Sequence, residues 1–213
     1  MPLSRTFALF ATTLLTILGV AAQAQQSALV ADPDAIEEDW QLVIATPNPL
    51  EVGPQITTVM SPVGDDSAPF IAFDLNYREY PVFAPGGMQV QVFSAGRMGA
   101  TSGQGNALFT TAGEVVSWTQ RMSVSNGTLT YDVNNGQSTT WGGFGQGANL
   151  RVTVPTTLTT LASYQTAVSA NRSGASWQAN HVSTLVLKQV RYYAGGQLTW
   201  TDTNPKVIVD NTN

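Results

Sequence analysis

The sequence predicts an all-β protein, an antiparallel β-sandwich or jelly roll with at most one short helix. Three observations lead there. Apolar and polar residues alternate with period two in one segment after another. Asn-Gly, Gly-Gly and Pro punctuate the chain at hairpin spacing. Only 11% of the 213 residues are charged, while Thr, Ser, Gly, Asn and Gln abound, so the exposed faces carry mostly uncharged polar groups.

The N-terminal stretch has the form of a targeting segment. Arg5 is the only charge before Asp32, an apolar run follows it, and Ala22-Gln23-Ala24 is the small-x-small pattern of a signal peptidase site. Residues 1–24 are therefore expected to be a signal peptide, with Gln25 as the mature end. The apolar run is about 14 residues long, short of the roughly 20 that span a bilayer. Residues 25–39 are polar, then acidic, and lack apolar periodicity, so they read as a flexible leader. A single sandwich domain is expected over 40–210.

Within that domain the first strands fall at 40–46 and 55–60, bounded by prolines. Over 70–77, Ile71, Phe73, Leu75 and Tyr77 share one face, with Asp74 and Asn76 opposite. Over 87–93, Met88, Val90 and Val92 point inward and Gln89 and Gln91 outward. Over 114–134, Val116, Trp118, Met122 and Val124 share the core parity, and Ser117, Thr119, Arg121 and Ser123 the other. Asn126-Gly127 then turns the chain, and Leu129, Tyr131 and Val133 return on the buried face with Thr130 and Asp132 outside. Asn135-Gly136 is expected to turn it again into 137–141. Further strands fall at 150–154, 182–193, 197–201 and 206–209, and the one short helix at 156–164.

Charge and chemistry exclude several functions. The net charge is −5, and 5 of the 14 acids crowd into 32–39, leaving a nearly neutral body. Neither nucleic acid, which needs a basic patch, nor an anionic membrane surface is an expected partner, and no stable membrane insertion should remain after cleavage. With no cysteine, disulfides, thiolate metal sites and cysteine nucleophiles are out. Gly143-Phe-Gly-Gln-Gly-Ala148 spells G-x-G-x-x-A, but a dinucleotide turn must open a helix. Here the next residues alternate and end in Pro155, which is a strand, so no cofactor is expected. The aromatics Trp141 and Phe144 in this loop leave two readings open, a core lid or a sugar-stacking platform.

The single histidine, His181, has no G-x-S-x-G partner and reads as a loop residue. Paired strand carboxylates of the Glu-x-Asp-x-x-Glu kind are not found. Asp74 and Glu79 are five apart, and Asp132 stands alone in its strand. Asp65-Asp66, Asn134-Asn135 and Asp202-x-Asn204 are oxygen-rich turns without a complete calcium spacing, so no metal is expected. What remains is a polar face. If the strands share a sheet, Asp74, Gln89, Gln91, Arg121 and Asp132, with Trp141 as a platform, would form a ligand-binding surface.

The run Val115-Val-Ser-Trp-Thr-Gln-Arg-Met-Ser-Val-Ser-Asn-Gly-Thr-Leu-Thr-Tyr-Asp-Val-Asn-Asn-Gly136 resembles the central hairpins of concanavalin A-like (laminin G-like) jelly rolls. "VSTLVLKQVRYY", from Val182 to Tyr193, is similar to their long late strand. The chain also resembles exported proteins of environmental, planctomycete-like bacteria. The resemblance covers about 40–210 and implies a fold shared by lectins, carbohydrate-binding modules, glycoside hydrolases and polysaccharide lyases. The hydrolase acid cluster is absent, and so is the lyase Gln-x-His strand, since Ala179 and Asn180 precede His181. The expectation is an exported, periplasmic or extracellular, non-catalytic protein that binds carbohydrate or another extracellular polymer. Two alternatives stay open: a lyase or hydrolase with acids and Arg121 assembled across strands, and a structural envelope protein.

Overall fold

A computed structural model describes residues 32–47, 53–64, 69–77, 87–94, 97–104, 109–147 and 149–212. They belong to one compact unit, Asp32–Asn213. The expected signal peptide, the leader up to residue 31, Asp65-Asp66, Glu79 and Ala148 lie outside the described residues, as does the side chain of Tyr77.

The described residues form an antiparallel β-sandwich. Its strands are β1 (Ala35–Ile44), β2 (Gln55–Met60), β3 (Phe70–Tyr77), β4 (Gly87–Ser94), β5 (Arg97–Gln104), β6 (Val115–Ser125), β7 (Thr128–Ser138), β8 (Gly142–Phe144), β9 (Arg151–Pro155), β10 (Gly174–Trp177), β11 (Val182–Ala194), β12 (Gln197–Asp202) and β13 (Lys206–Asp210). One sheet has the order β12-β11-β1-β6-β7-β8, with β13 also on β11 and β9 also on β7; the other has the order β10-β2-β3-β4-β5. The helix α1 spans Thr166–Arg172.

The expected parities place the core correctly. Val116, Trp118, Met122 and Val124 are buried on β6, as are Leu129, Tyr131 and Val133 on β7, and Ile71, Phe73, Leu75, Met88, Val90 and Val92 on the facing sheet. Trp40 stacks on Trp118 at 6.3 Å between ring centroids. Phe73 crosses the interlayer to meet Trp118 edge-on at 5.7 Å, a favoured aromatic arrangement. Asn126 and Gly127 both take positive φ, 49° and 72°, as the β6–β7 hairpin requires.

Four expectations are corrected. The chain does not wait until residue 40 to become ordered. β1 begins at Ala35, and Ile36, Glu38, Trp40, Leu42 and Ile44 all point into the core. Three of the five acids that look like a leader, Glu37, Glu38 and Asp39, are strand residues. Second, 156–164 is irregular, and the helix lies just beyond it at Thr166–Arg172. Pro155 ends β9, and Leu161 is buried without a helix around it. Third, Asn135-Gly136 is not a turn. β7 runs through it to Ser138 with a register shift opposite Ser117 and Thr119. Fourth, the outward side chains of β4 are not solvated: Gln89 is 0% and Gln91 6% exposed.

Candidate functional site

The six residues expected to bind a ligand do not share a face. Asp74 and Gln89 are cross-strand partners on β3 and β4, with Gln91 beside them, on the five-stranded sheet. All three are buried. Thr57 Oγ1 donates to Asp74 Oδ1 at 2.6 Å, and neither amide atom of Gln89 has a hydrogen-bond partner. Arg121 and Asp132 are cross-strand partners on the other sheet. Trp141 precedes β8, half-buried, with its ring against Phe144 at 5.3 Å.

The glycine loop is settled by Phe144. Its ring is 1% exposed and stacks on Phe73 at 6.3 Å. A Cβ on Gly136 would lie 2.4 Å from that ring, and one on Gly145 (φ 71°) would lie 2.4 Å from the Val133 carbonyl oxygen. Glycines are needed there because an aromatic plug and a strand backbone occupy the space. Phe144 and Gly145 belong to the core, while Gly143, Gln146 and Gly147 are exposed.

Ion pairs and polar side chains concentrate on the outer face of the eight-stranded sheet. One register row runs Arg191–Glu37–Arg121–Asp132–Arg151 across five strands, alternating in sign. Glu37 sits between two arginines, at 2.6 Å from Arg121 and 3.1 Å from Arg191. Arg151 pairs with Asp132. Tyr193 donates its hydroxyl to Glu37 at 2.7 Å, and its ring lies 5.2 Å below the Arg121 guanidinium. Burial and the Glu37 carboxylate together push the Tyr193 phenol up. Arg121 and Asp132 thus each have a separate partner of opposite charge.

Beside this row lies an open groove of about 300 Å³, lined by Asp39, Gln41, Ser117, Thr119, Asn135, Lys188 and Arg191 together with the strand residues Trp40 and Trp118. Its volume is at the lower end for ligand sites. Two β-bulges make it. On β11 the pairing jumps from Asp39↔Gln189 to Trp40↔Leu187, which leaves Lys188 as the extra residue. On β7 it jumps between Ser117 and Thr119, which sets Asn135 (φ 52°) and Gly136 together opposite the single residue Trp118. A bulge bends its strand and re-aims a side chain, and here both flanks of the β1–β6 pair are bent. Asp39 is fixed within the groove: its Oδ1 accepts from Thr119 (2.8 Å) and Arg191 (2.7 Å), and its Oδ2 from Gln189 (2.6 Å).

Glu37 and Asp39 escaped the sequence reading. They stand two apart on one strand and so point the same way, which is the paired-acid signal sought elsewhere in the chain. Assigning 25–39 to a leader hid it.

A second polar cluster lies inside the sandwich. Glu38 is 0% exposed. Tyr164 donates to its Oε1 at 2.5 Å, and Trp40 Nε1 donates to its Oε2 at 3.0 Å. Burial pushes the Glu38 carboxyl up from 4.5 to about 7, against the opposing pull of Ser169, Tyr164 and Trp40. The Tyr131 and Tyr164 phenols are held well above their usual range, by burial first and then by the Glu38 charge. Gln120 joins the two sheets by accepting from Thr58 Oγ1 and from Trp118 Nε1.

The remaining sequence candidates have structural roles. His181 Nδ1 contacts the Thr46 carbonyl. Asp202 Oδ1 accepts from the backbone and side chain of Asn204 at 2.9 and 2.8 Å, closing its own turn. Among the described residues no group of three or more His, Cys, Asp or Glu side chains converges on a metal position, and no helix is long and apolar enough to cross a membrane.

Fold and groove together define an antiparallel β-sandwich protein with a polar cleft on the outside of its larger sheet. No protein-family model matches the chain, and no curated protein does either. Among solved structures it is similar to the enzymatically active domain of bacteriophage CBA120 tailspike protein 2, with 11% sequence identity and a TM-score of 0.32. That likeness covers 78% of this chain and 23% of the tailspike chain, so the present chain spans less than a quarter of that protein's length.

Proposed function

We propose that this chain is an exported, non-catalytic protein that binds carbohydrate in the groove over β1 and β6. The observation that carries this reading is the chemistry of the lining. Gln41, Ser117, Thr119 and Asn135 offer amides and hydroxyls on a rigid sheet, framed by Asp39, Lys188 and Arg191. Neutral donors and acceptors on fixed elements suit the hydroxyls of a sugar. The resemblance of the hairpin sequence to lectin-containing jelly rolls points the same way.

The absence of turnover follows from how the acids are used. Glycoside hydrolysis needs one carboxyl to give a proton and another to attack or to activate water. Glu37 and Asp39 are each held by arginine and by further donors. Glu38, with its raised pKa of about 7, is in the core where no sugar reaches it.

The test is a glycan array probed with protein beginning at Gln25, followed by incubation with any retained polysaccharide. Retention without new reducing ends is expected. Ser117→Ala combined with Asn135→Ala should weaken retention by about tenfold, the loss of roughly 1.4 kcal/mol. Release of oligosaccharides would establish the enzyme reading in its place, and retention of no glycan would remove the proposal.

A further inference from the structure

We propose that the glycan taken by this groove is acidic, and that its anionic group pairs with Lys188. This rests on the carbohydrate reading above and names the ligand class for the same site.

The argument begins with charge balance on the face. Four of the 9 Lys and Arg residues of a chain with net charge −5 belong to the row and groove of this one sheet: Arg121, Arg151, Arg191 and Lys188. Three carboxylates face them: Glu37, Asp39 and Asp132. The arginines take all three, Glu37 by Arg121 and Arg191, Asp39 by Arg191, and Asp132 by Arg151. The oxygens of Asp39, the carboxylate in the groove itself, also accept from Thr119 and Gln189. Lys188 is left over. Among the described residues no carboxylate lies within ion-pair distance of it, and its side chain is exposed.

Its position is built by the backbone. Lys188 is the extra residue of the β11 bulge, so no residue of β1 stands opposite it, and it lines the groove with Arg191 and Asp39. Bulges that re-aim a side chain belong to the sheet's architecture and recur beside functional sites. A solvated lysine needs no such device. A cation held over a cleft of amides and hydroxyls matches a sugar ring bearing a carboxylate or sulfate: the ring hydroxyls meet Gln41, Ser117 and Asn135 while the anion meets the ammonium. A charge-assisted hydrogen bond is about twice as strong as a neutral one, so this contact sets the preference among glycans.

The experiment compares retention of polygalacturonate, a sulfated galactan, and the neutral polymers galactan and cellulose by the wild-type chain, Lys188→Gln and Lys188→Arg. Melting temperatures check that the variants are folded. At least one acidic polymer should be held about tenfold more tightly than its neutral counterpart, which the two acidic arms assign to carboxylate or sulfate. Lys188→Gln should abolish that difference, and Lys188→Arg should keep it. Equal retention of acidic and neutral polymers, or an acidic preference that survives Lys188→Gln, overturns the Lys188 assignment and leaves the carbohydrate reading standing. Retention of no polymer overturns both.

Discussion

Glu38 is a carboxyl whose ionisation is tied to folding. It replaces an apolar side chain in the inward run of β1, between Ile36 and Trp40, and its carboxyl is raised from 4.5 to about 7 by burial. The folded protein therefore holds this proton more firmly than the unfolded chain does. The resulting stabilisation is complete below pH 4.5 and is lost as pH rises through 7, an effect of about 3 kcal/mol. Urea titrations at pH 5 and pH 8 should show wild type losing stability relative to Glu38→Gln by that order. Parallel pH dependence in the two proteins would mean that Glu38 is ionised in the fold throughout. No pattern in the sequence announces this role. A run of three acids hides the alternation, and the phenol that donates to Glu38 lies 126 positions further along the chain.

At the scale of elements, β7 shows why one Asn-Gly is a turn and the next is not. Asn126-Gly127 and Asn135-Gly136 look alike locally, and Asn126 and Asn135 both take positive φ. The difference is Phe144, whose ring fills the place of a Gly136 side chain, so β7 passes beneath it and bulges. Gly136→Ala should cost about 1–3 kcal/mol by overpacking, measured by thermal melting. It should also weaken glycan retention, because Asn135 leaves the groove as the bulge is displaced. An alanine variant that melts like wild type would show that Phe144 can move aside. Alternation located most strands and core positions, since it depends only on which face each residue meets. It missed the β7 bulge, which accommodates a ring arriving from another strand, and the β11 bulge at Lys188, and so it missed the groove they frame. It also grouped residues that lie on two sheets: Asp74, Gln89 and Gln91 share outward parity with Arg121 and Asp132 in their own strands, but parity says nothing of which sheet a strand joins.

For the whole molecule, the row Arg191–Glu37–Arg121–Asp132–Arg151 ties β11, β1 and β6 together through Glu37, and β7 to β9 through Asp132 and Arg151, outside the core. Its pairs are partly exposed: the side chains of Arg121 and Glu37 are 30% and 16% accessible. Single exposed pairs add only about 0–1 kcal/mol. Arg121→Ala should accordingly lower stability by no more than about 1 kcal/mol in chemical denaturation, because Glu37 keeps Arg191. A larger loss would mean that the row acts as one cooperative network.

The placement of β1 governs the order of events when the polypeptide folds. This first strand lies between β11 and β6, in the middle of its sheet, and Tyr193 reaches Glu37 across 156 positions. Contacts so distant in sequence are slow to form, because a long loop must close before they offset its entropy. A nascent chain therefore carries β1 unpaired on its β11 side until residue 182 and beyond have been made, and the larger sheet completes late. A chain ending at His181 should show no cooperative thermal transition, and adding the peptide 182–213 should restore one. Cooperative melting of the truncated chain alone would show that the sheet can close without its late strand.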